Sequence, residues 1–280
     1  MKAFKFLMMG VVLLMMASCS SNSLGVSNST TGGRNVSFLV TDAPMWYNFK
    51  SVNVQITGID YQMAADSTWK TLTPFNAGVY DLKALSNGLF RQLGQIRLPN
   101  IEKIRNVRLN LGTNNTVVLA NESVKSLTIW NNQNSVILHI NQNRITASGD
   151  SIVVDFNLAR SIMLTRTGYI LNPVLRGYIE SQTASIWGYI TPDTLRCKVE
   201  YDVFIISNGD TISTASDVNH MNFFRLSGLP AGTYTVQIIP INSTKSPFTL
   251  EITINQNGFI QLDKFSPQWQ NLLWTKFFRL

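Results

Sequence analysis

From Asn35 onward the chain is written with a period of two. Val36, Phe38 and Val40 share one side of an extended segment. Val52, Val54 and Ile56 alternate with Asn53, Gln55 and Thr57, and Val107, Leu109 and Leu111 alternate with Arg108 and Asn110. Successive side chains of a strand point to opposite faces, so this text predicts short strands with one dry and one wet face, as in antiparallel sheets. Further strands are predicted over 116–119, 136–140, 151–156 and 169–178. Ser148-Gly149-Asp150 reads as a hairpin turn, and 82–86 and 89–94 read as short helices.

A second series begins at Ile186-Trp187-Gly188-Tyr189-Ile190. Strands are predicted over 199–206, from Thr211, and over 223–226, 233–241, 248–254 and 259–265. Asn208-Gly209 and Asn257-Gly258 read as hairpin turns. About seven strands in roughly eighty residues is the spacing of a small sandwich. The two series share no internal repeat. The expected fold is all-β: two antiparallel β-sandwich domains over 35–184 and 185–267, Ig-like or prealbumin-like, with minor short helices.

Both ends break the pattern. Lys2 and Lys5 precede an apolar run from Phe6 to Ala17 that is short for a membrane span, so residues 1–18 read as a signal peptide. The run ends in Met16-Ala17-Ser18-Cys19, which resembles a bacterial lipobox. That resemblance makes Cys19 the expected lipid-attachment residue, carrying a diacylglyceryl group and an amide-linked acyl chain such as palmitate. Acyl chains at ~0.8 kcal/mol per buried methylene anchor a protein to a membrane without a spanning helix. Residues 19–34, rich in Ser, Asn, Thr and Gly, read as a flexible tether. No Asp follows Cys19, so the expected location is the outer membrane of a Gram-negative envelope, in either leaflet. At the other end, Trp269, Leu272, Leu273, Phe277 and Leu280 recur at helical spacing and predict an amphipathic tail over 268–280.

Charged residues make up 14% of the chain, against ~25% for ordinary soluble domains. The net charge of +7 falls to +5 once Lys2 and Lys5 are removed. The remaining basic residues are scattered, with no run of five and no zinc-finger or helix-turn-helix spacing, so nucleic acid is not an expected partner. With Cys19 lipidated, Cys197 stands alone. It alternates in step with Val199, Tyr201 and Val203, as a buried structural thiol would.

Several blocks recur in an order that is more specific than any one of them. They are Thr41-Asp42-Ala43-Pro44, Trp69-Lys70-Thr71-Leu72, Tyr80-Asp81-Leu82, Arg105-Asn106-Val107-Arg108-Leu109, Asp155-Phe156-Asn157 and Gly168-Tyr169-Ile170-Leu171-Asn172-Pro173-Val174. Together they resemble the DUF4382 domain of bacterial lipoproteins, whose likeness implies location and fold more than mechanism. Two positions depart from that family: Asn157 stands where Asp is usual, and Trp130 to Asn134 replace a Pro-Ser-Gly turn. In the second domain, Leu226-Ser227-Gly228-Leu229-Pro230-Ala231-Gly232-Thr233-Tyr234-Thr235-Val236 is similar to the strand-turn-strand of prealbumin-like or carboxypeptidase-regulatory-like sandwiches. Pro230 fixes φ there, and Gly232 is expected to supply a positive φ.

Candidate chemistry is sparse. His139 and His220 lack a local partner pattern for a triad or a zinc site. Asp42, Asp81 and Asp155 are the best-matched carboxylates. Asp42 is expected to make an Asx-type turn and Asp81 to cap a helix at Leu82. A hydrolase would need these three and His139 to converge. No catalytic, metal or cofactor site is expected. Trp130 leads into Asn131, Asn132, Gln133 and Asn134, an aromatic face beside amide donors and acceptors, and is the candidate ligand site. Trp46, Trp69 and Trp187 are expected in the core or between domains. Asp-Ser/Thr-apolar text at Ser67, Ser151, Thr194 and Thr211 resembles O-glycosylation sites of Bacteroides-like bacteria. The expected function is a lipid-anchored, non-catalytic envelope protein binding a glycan or another envelope ligand. The alternative is a structural or assembly lipoprotein that docks a protein partner.

Overall fold

A computed structural model describes residues 33–43, 49–98, 103–140, 149–190, 199–207, 210–241, 243–244, 246–255 and 258–262. The described residues form two β-sandwiches in sequence. In the first, β1 (Arg34–Ala43), β5 (Arg91–Leu98), β10 (Asp150–Asn157) and β13 (Leu175–Ile179) make a four-stranded sheet in the order β13-β10-β1-β5. The facing sheet has nine strands. They are β2 (Phe49–Met63), β3 (Trp69–Thr71), β4 (Gly78–Asp81), β6 (Ile104–Leu111), β7 (Thr116–Leu119), β8 (Val124–Ile129), β9 (Ser135–His139), β11 (Ile162–Thr165) and β12 (Gly168–Leu171). Its main path runs β11-β12-β8-β7-β2-β6-β9, with β3 and β4 also pairing β2.

The alternation read from the sequence places the core. Val36, Phe38 and Val40 of β1 and Ile152, Val154 and Phe156 of β10 meet Val52, Val54 and Ile56 of β2, and all nine are fully buried. Each such side chain contributes about 1.5–3 kcal/mol by leaving water.

The second sandwich pairs β14 (Ala184–Tyr189), β17 (Phe223–Leu229) and β20 (Gly258–Gln261) in the order β17-β14-β20. Its other sheet holds β15 (Tyr201–Ser207), β16 (Asp210–Ala215), β18 (Gly232–Pro240) and β19 (Phe248–Ile254), ordered β16-β15-β18-β19. A separate core of Ile186, Tyr201, Val203, Phe224, Val236 and Ile238 fills it. Ser207 pairs with Asp210 in the antiparallel ladder of β15 and β16.

Most ladders are antiparallel, but β1–β10, β8–β12 and β14–β20 are parallel. Parallel strands need long crossovers, and this reverses two expected hairpins. Gly149 does not turn β9 into β10, because β9 pairs β6 in one sheet and β10 pairs β1 in the other. Gly258 does not turn β19 into β20 either. The chain instead crosses between the sheets of the second sandwich.

Three further expectations are revised. The 89–94 segment is not helical: strand β5 begins at Arg91, and a bulge opposite Phe38 and Leu39 tucks in both Leu93 and Gly94. A Cβ at Gly94 would lie 2.5 Å from the Pro74 carbonyl oxygen, so the close approach requires glycine. In the strand-turn-strand of the second sandwich the positive φ belongs to Gly228 (+72°), and Gly232 has none. The expected 82–86 helix is a 3-10 turn over Leu82–Leu85.

Strand β10 is buried on both faces. Its inward residues join the core. Ser151, Val153 and Asp155 face the other way and are also buried, because the second sandwich packs there.

Candidate functional site

The contact between the sandwiches is polar and is centred on one arginine. Arg176, on β13, donates from Nε to Asp155 Oδ2 at 2.7 Å. Its Nη1 and Nη2 donate to the carbonyls of Gly228 (3.0 Å) and Ser227 (2.6 Å) on β17. Burial pushes the Asp155 carboxyl up, and the arginine only partly offsets it. Asn87 adds a second tie: its Oδ1 accepts from Thr214 Oγ1 at 2.6 Å and from the Arg225 backbone N–H. Asn157 Nδ2 adds a third, donating to the Thr211 carbonyl.

Beside these ties opens a cleft of about 480 Å³. The first sandwich contributes Phe90, Asp150, Tyr178, Glu180, Ser181 and Thr183. The second contributes Ser185, Arg225, Ser227 and Phe259. Strand alternation aims these groups outward. Phe224 and Leu226 enter the core, so Arg225 and Ser227 face the cleft, and Ser185 and Phe259 pair across β14 and β20 on that same face. The Arg225 guanidinium sits 5.1 Å from the Phe259 ring centre and 6.0 Å from that of Phe90. Its Nη2 donates to Ser185 Oγ. Asp150 is spent locally: Oδ1 accepts from the backbone N–H of Ser151 and Ser181, and Oδ2 from Ser181 Oγ at 2.6 Å.

Two donors in this wall are buried without a partner among the described residues: Tyr178 Oη and Arg225 Nε. Tyr178 is 2% exposed, and burial raises its pKa, so the phenol remains a neutral donor. Orphaned buried donors cost about 1–3 kcal/mol each.

The carboxylates considered for hydrolysis do not gather. Asp42 Oδ1 accepts from the Leu158 backbone N–H, across strands. Asp81 makes no cap bond to the 3-10 turn and accepts from Val52 N–H. Asp155 faces the second sandwich, while Asp81 and His139 belong to the opposite sheet. His139 is exposed and bonds through Nδ1 to Asn106 Oδ1 at 2.7 Å; His220 lies in a turn against Asp217.

Trp130 begins the β8–β9 turn and is 45% exposed. Asn131 and Asn132 take left-handed backbone angles, and Asn131, Asn132, Gln133 and Asn134 are all exposed. The turn belongs to the nine-stranded sheet, whereas the cleft opens on the four-stranded one. Trp69 and Trp187 are not core residues. Trp69 lies half-buried under the Arg108 guanidinium, 4.5 Å from its ring centre, and Trp187 lies half-buried in a row with Tyr189 and Phe223 on the outer face of β14 and β17. Ser67 is exposed in the β2–β3 turn and Thr211 half-buried on β16, but Ser151 is buried within β10 and offers no acceptor in the folded chain. Cys19, the 1–18 leader, the 19–32 part of the tether, Trp46, Thr194, Cys197 and the 268–280 tail lie outside the described residues.

The family model described as "Domain of unknown function (DUF4382)" matches residues 34–173, half of the chain. The chain belongs to the DUF4382 family. The DUF4382 match ends before β13, so Tyr178, Arg176 and Glu180 lie just past it, and of the cleft wall only Phe90, Gly149 and Asp150 fall inside it. No curated protein matches the chain. Among solved structures it is similar to the Bacillus anthracis TIE protein, at 9% identity, 83% coverage of this chain, 40% of that chain and a TM-score of 0.26. It is similar to BcpA, the major pilin subunit of Bacillus cereus, at 11% identity, 82% and 69% coverage and a TM-score of 0.20. The type II cohesin-X-dockerin complex of Acetivibrio cellulolyticus gives 22% identity, 30% and 53% coverage and a TM-score of 0.23. The chain therefore spans about half of that cohesin–dockerin chain and two fifths of the TIE protein.

The cleft residues escaped sequence reading because no motif joins them. Arg225 between Phe224 and Leu226, and Phe259 between Gly258 and Ile260, were visible only as a charge or a ring on the wet face of a strand. That signal gains meaning once β17, β14 and β20 are known to be neighbours.

Proposed function

We propose that the chain is a lipid-anchored, non-catalytic binding module of the cell envelope that holds a glycan in the cleft between its two sandwiches. Cys19 carries the lipid after removal of residues 1–18, residues 19–33 are the tether, Arg34 already belonging to β1, and the location is the outer membrane. The second sandwich is a prealbumin-like or carboxypeptidase-regulatory-like module hydrogen-bonded to the DUF4382 domain.

The observation that carries the reading is a cleft walled by Phe90 and Phe259, with the Arg225 guanidinium 6.0 and 5.1 Å from their ring centres and the Ser185 and Ser227 hydroxyls as further donors in its lining. Sugar rings offer apolar C–H faces to aromatic rings and hydroxyl acceptors to such donors. The absence of chemistry in this reading rests on the separate structural duties of Asp42, Asp81 and Asp155.

Two experiments test it. A glycan array probed with the full chain should give at least one bound glycan, weakened tenfold or more by Phe259→Ala. An array with no binding, or binding indifferent to that substitution, overturns the cleft as the site. Metabolic labelling with palmitate should mark the wild-type chain and not Cys19→Ala; equal labelling removes the anchor.

A further inference from the structure

We infer that the chain's own residues 268–280 dock on the outer face of the second sandwich, over the aromatic row of Trp187, Tyr189 and Phe223. The inference is independent of the cleft reading.

The row comes from strand alternation. Ile186 and Phe224 enter the core, so Trp187 and Tyr189 on β14 and Phe223 on β17 point away from it. Tyr189 and Phe223 are cross-strand partners. The Trp187 ring centre lies 6.2 Å from that of Tyr189 and 6.1 Å from that of Phe223, and the latter two are 5.5 Å apart. All three residues are half-buried. An outward face ordinarily carries polar side chains, and a contiguous apolar patch there marks an interaction surface. The rings meet at 83°, 44° and 57°, so they share no plane on which a sugar ring could lie. A tilted cluster of this kind suits apolar side chains that pack between its rings.

The chain delivers such side chains to this place. Strand β20 runs parallel to β14, with Gln261 beside Trp187, and the Leu262 N–H donates to the Trp187 carbonyl at 2.8 Å. At Leu262 the strand is therefore heading toward Tyr189, on the neighbouring strand, and Phe223 is one strand further on. Two strand spacings amount to about 10 Å. The six residues 263–268 can reach up to about 20 Å, so Gln268 is within range of the whole row. Trp269, Leu272, Leu273, Phe277 and Leu280 follow at a spacing that gathers them on one side of a helix. Thirteen helical residues measure about 20 Å, enough to cross three strands. Two apolar surfaces joined by so short a linker meet at a high effective concentration, which favours this segment over a separate partner.

Hydrogen exchange on the full chain without lipid tests the docking. Amides of 268–280 should exchange at least tenfold more slowly than in an unstructured peptide. Tyr189→Ser with Phe223→Ser should return them to the unstructured rate while β15 and β18 stay protected. The reciprocal variant, Leu272→Asp with Leu273→Asp, leaves the sandwich intact and gives a second readout. In a chain labelled with 5-fluorotryptophan it should shift the fluorine resonance of Trp187, assigned by its loss in Trp187→Phe. Unstructured exchange of 268–280 in the wild type, protection that survives the row substitutions, or a Trp187 resonance unmoved by the tail pair overturns the inference. Protection that arises only when phosphatidylethanolamine–phosphatidylglycerol vesicles are added also overturns it, and assigns the segment to the lipid surface instead.

Discussion

The Arg176 guanidinium is held by the Asp155 carboxylate of the neighbouring strand on one side and by two backbone carbonyls of the second sandwich, Ser227 and Gly228, on the other. One side chain thus neutralises a buried acid and ties the sandwiches together. Arg176→Met leaves Asp155 buried and uncompensated, and breaking such a pair costs about 3–5 kcal/mol. Asp155→Asn removes the acid that burial already disfavours and leaves Arg176 its two carbonyls, so it costs less. Urea unfolding of the two variants should rank them in that order.

Gly228 and Gly149 make a matched pair for the junction. Both have positive φ, +72° and +82°. A Cβ at Gly228 would lie 2.6 Å from the Tyr178 ring, whereas at Gly149 it meets nothing within 4 Å. Gly149→Ala should cost only the backbone term of about 1–2 kcal/mol. Gly228→Ala adds displacement of Tyr178 and loosens the junction, so it should lower the melting temperature further and also weaken sugar binding.

Asn157 has a duty in each sandwich. Its Oδ1 caps the short helix Leu158–Ser161 through Arg160 N–H, a duty Asp performs equally. Its Nδ2 donates to the Thr211 carbonyl of the second sandwich, which Asp cannot do when ionised. Asn157→Asp should therefore keep the cap and cost about 1 kcal/mol through the junction, whereas Asn157→Ala loses both. Chemical denaturation distinguishes the two.

Asp202 governs a pH dependence. It is buried on β15, its Oδ2 has no partner among the described residues, and burial, aided by Glu200, pushes its pKa up to about 6. A carboxyl whose pKa is raised on folding favours the fold while protonated, below its ordinary value, and loses that contribution as pH rises through about 6. Asp202→Asn should accordingly raise the melting temperature at pH 7, with the gap to wild type closing by pH 4. An unchanged gap across that range contradicts the assignment.

The strands were legible because one face of each is dry: Val52-Asn53-Val54-Gln55-Ile56 announces β2 from its letters alone. Sheet membership was not. Ser151 to Phe156 is buried on both sides, so it carries no alternation to show that β10 lies parallel to β1 and beneath a second domain. The exposed Trp130 turn was found from a local run of amides, as local runs can be. Tyr178, Arg225 and Phe259 meet only through pairings separated by tens of residues, and a strand's text does not name its neighbour.

Hydrogen exchange on the full chain, with and without a glycan bound on the array, tests the central claim most directly. Binding in the cleft predicts slowed exchange over 178–185, 225–229 and 258–261, with 129–135 unchanged. Protection confined to 129–135, around Trp130, contradicts it and moves the site to the opposite sheet.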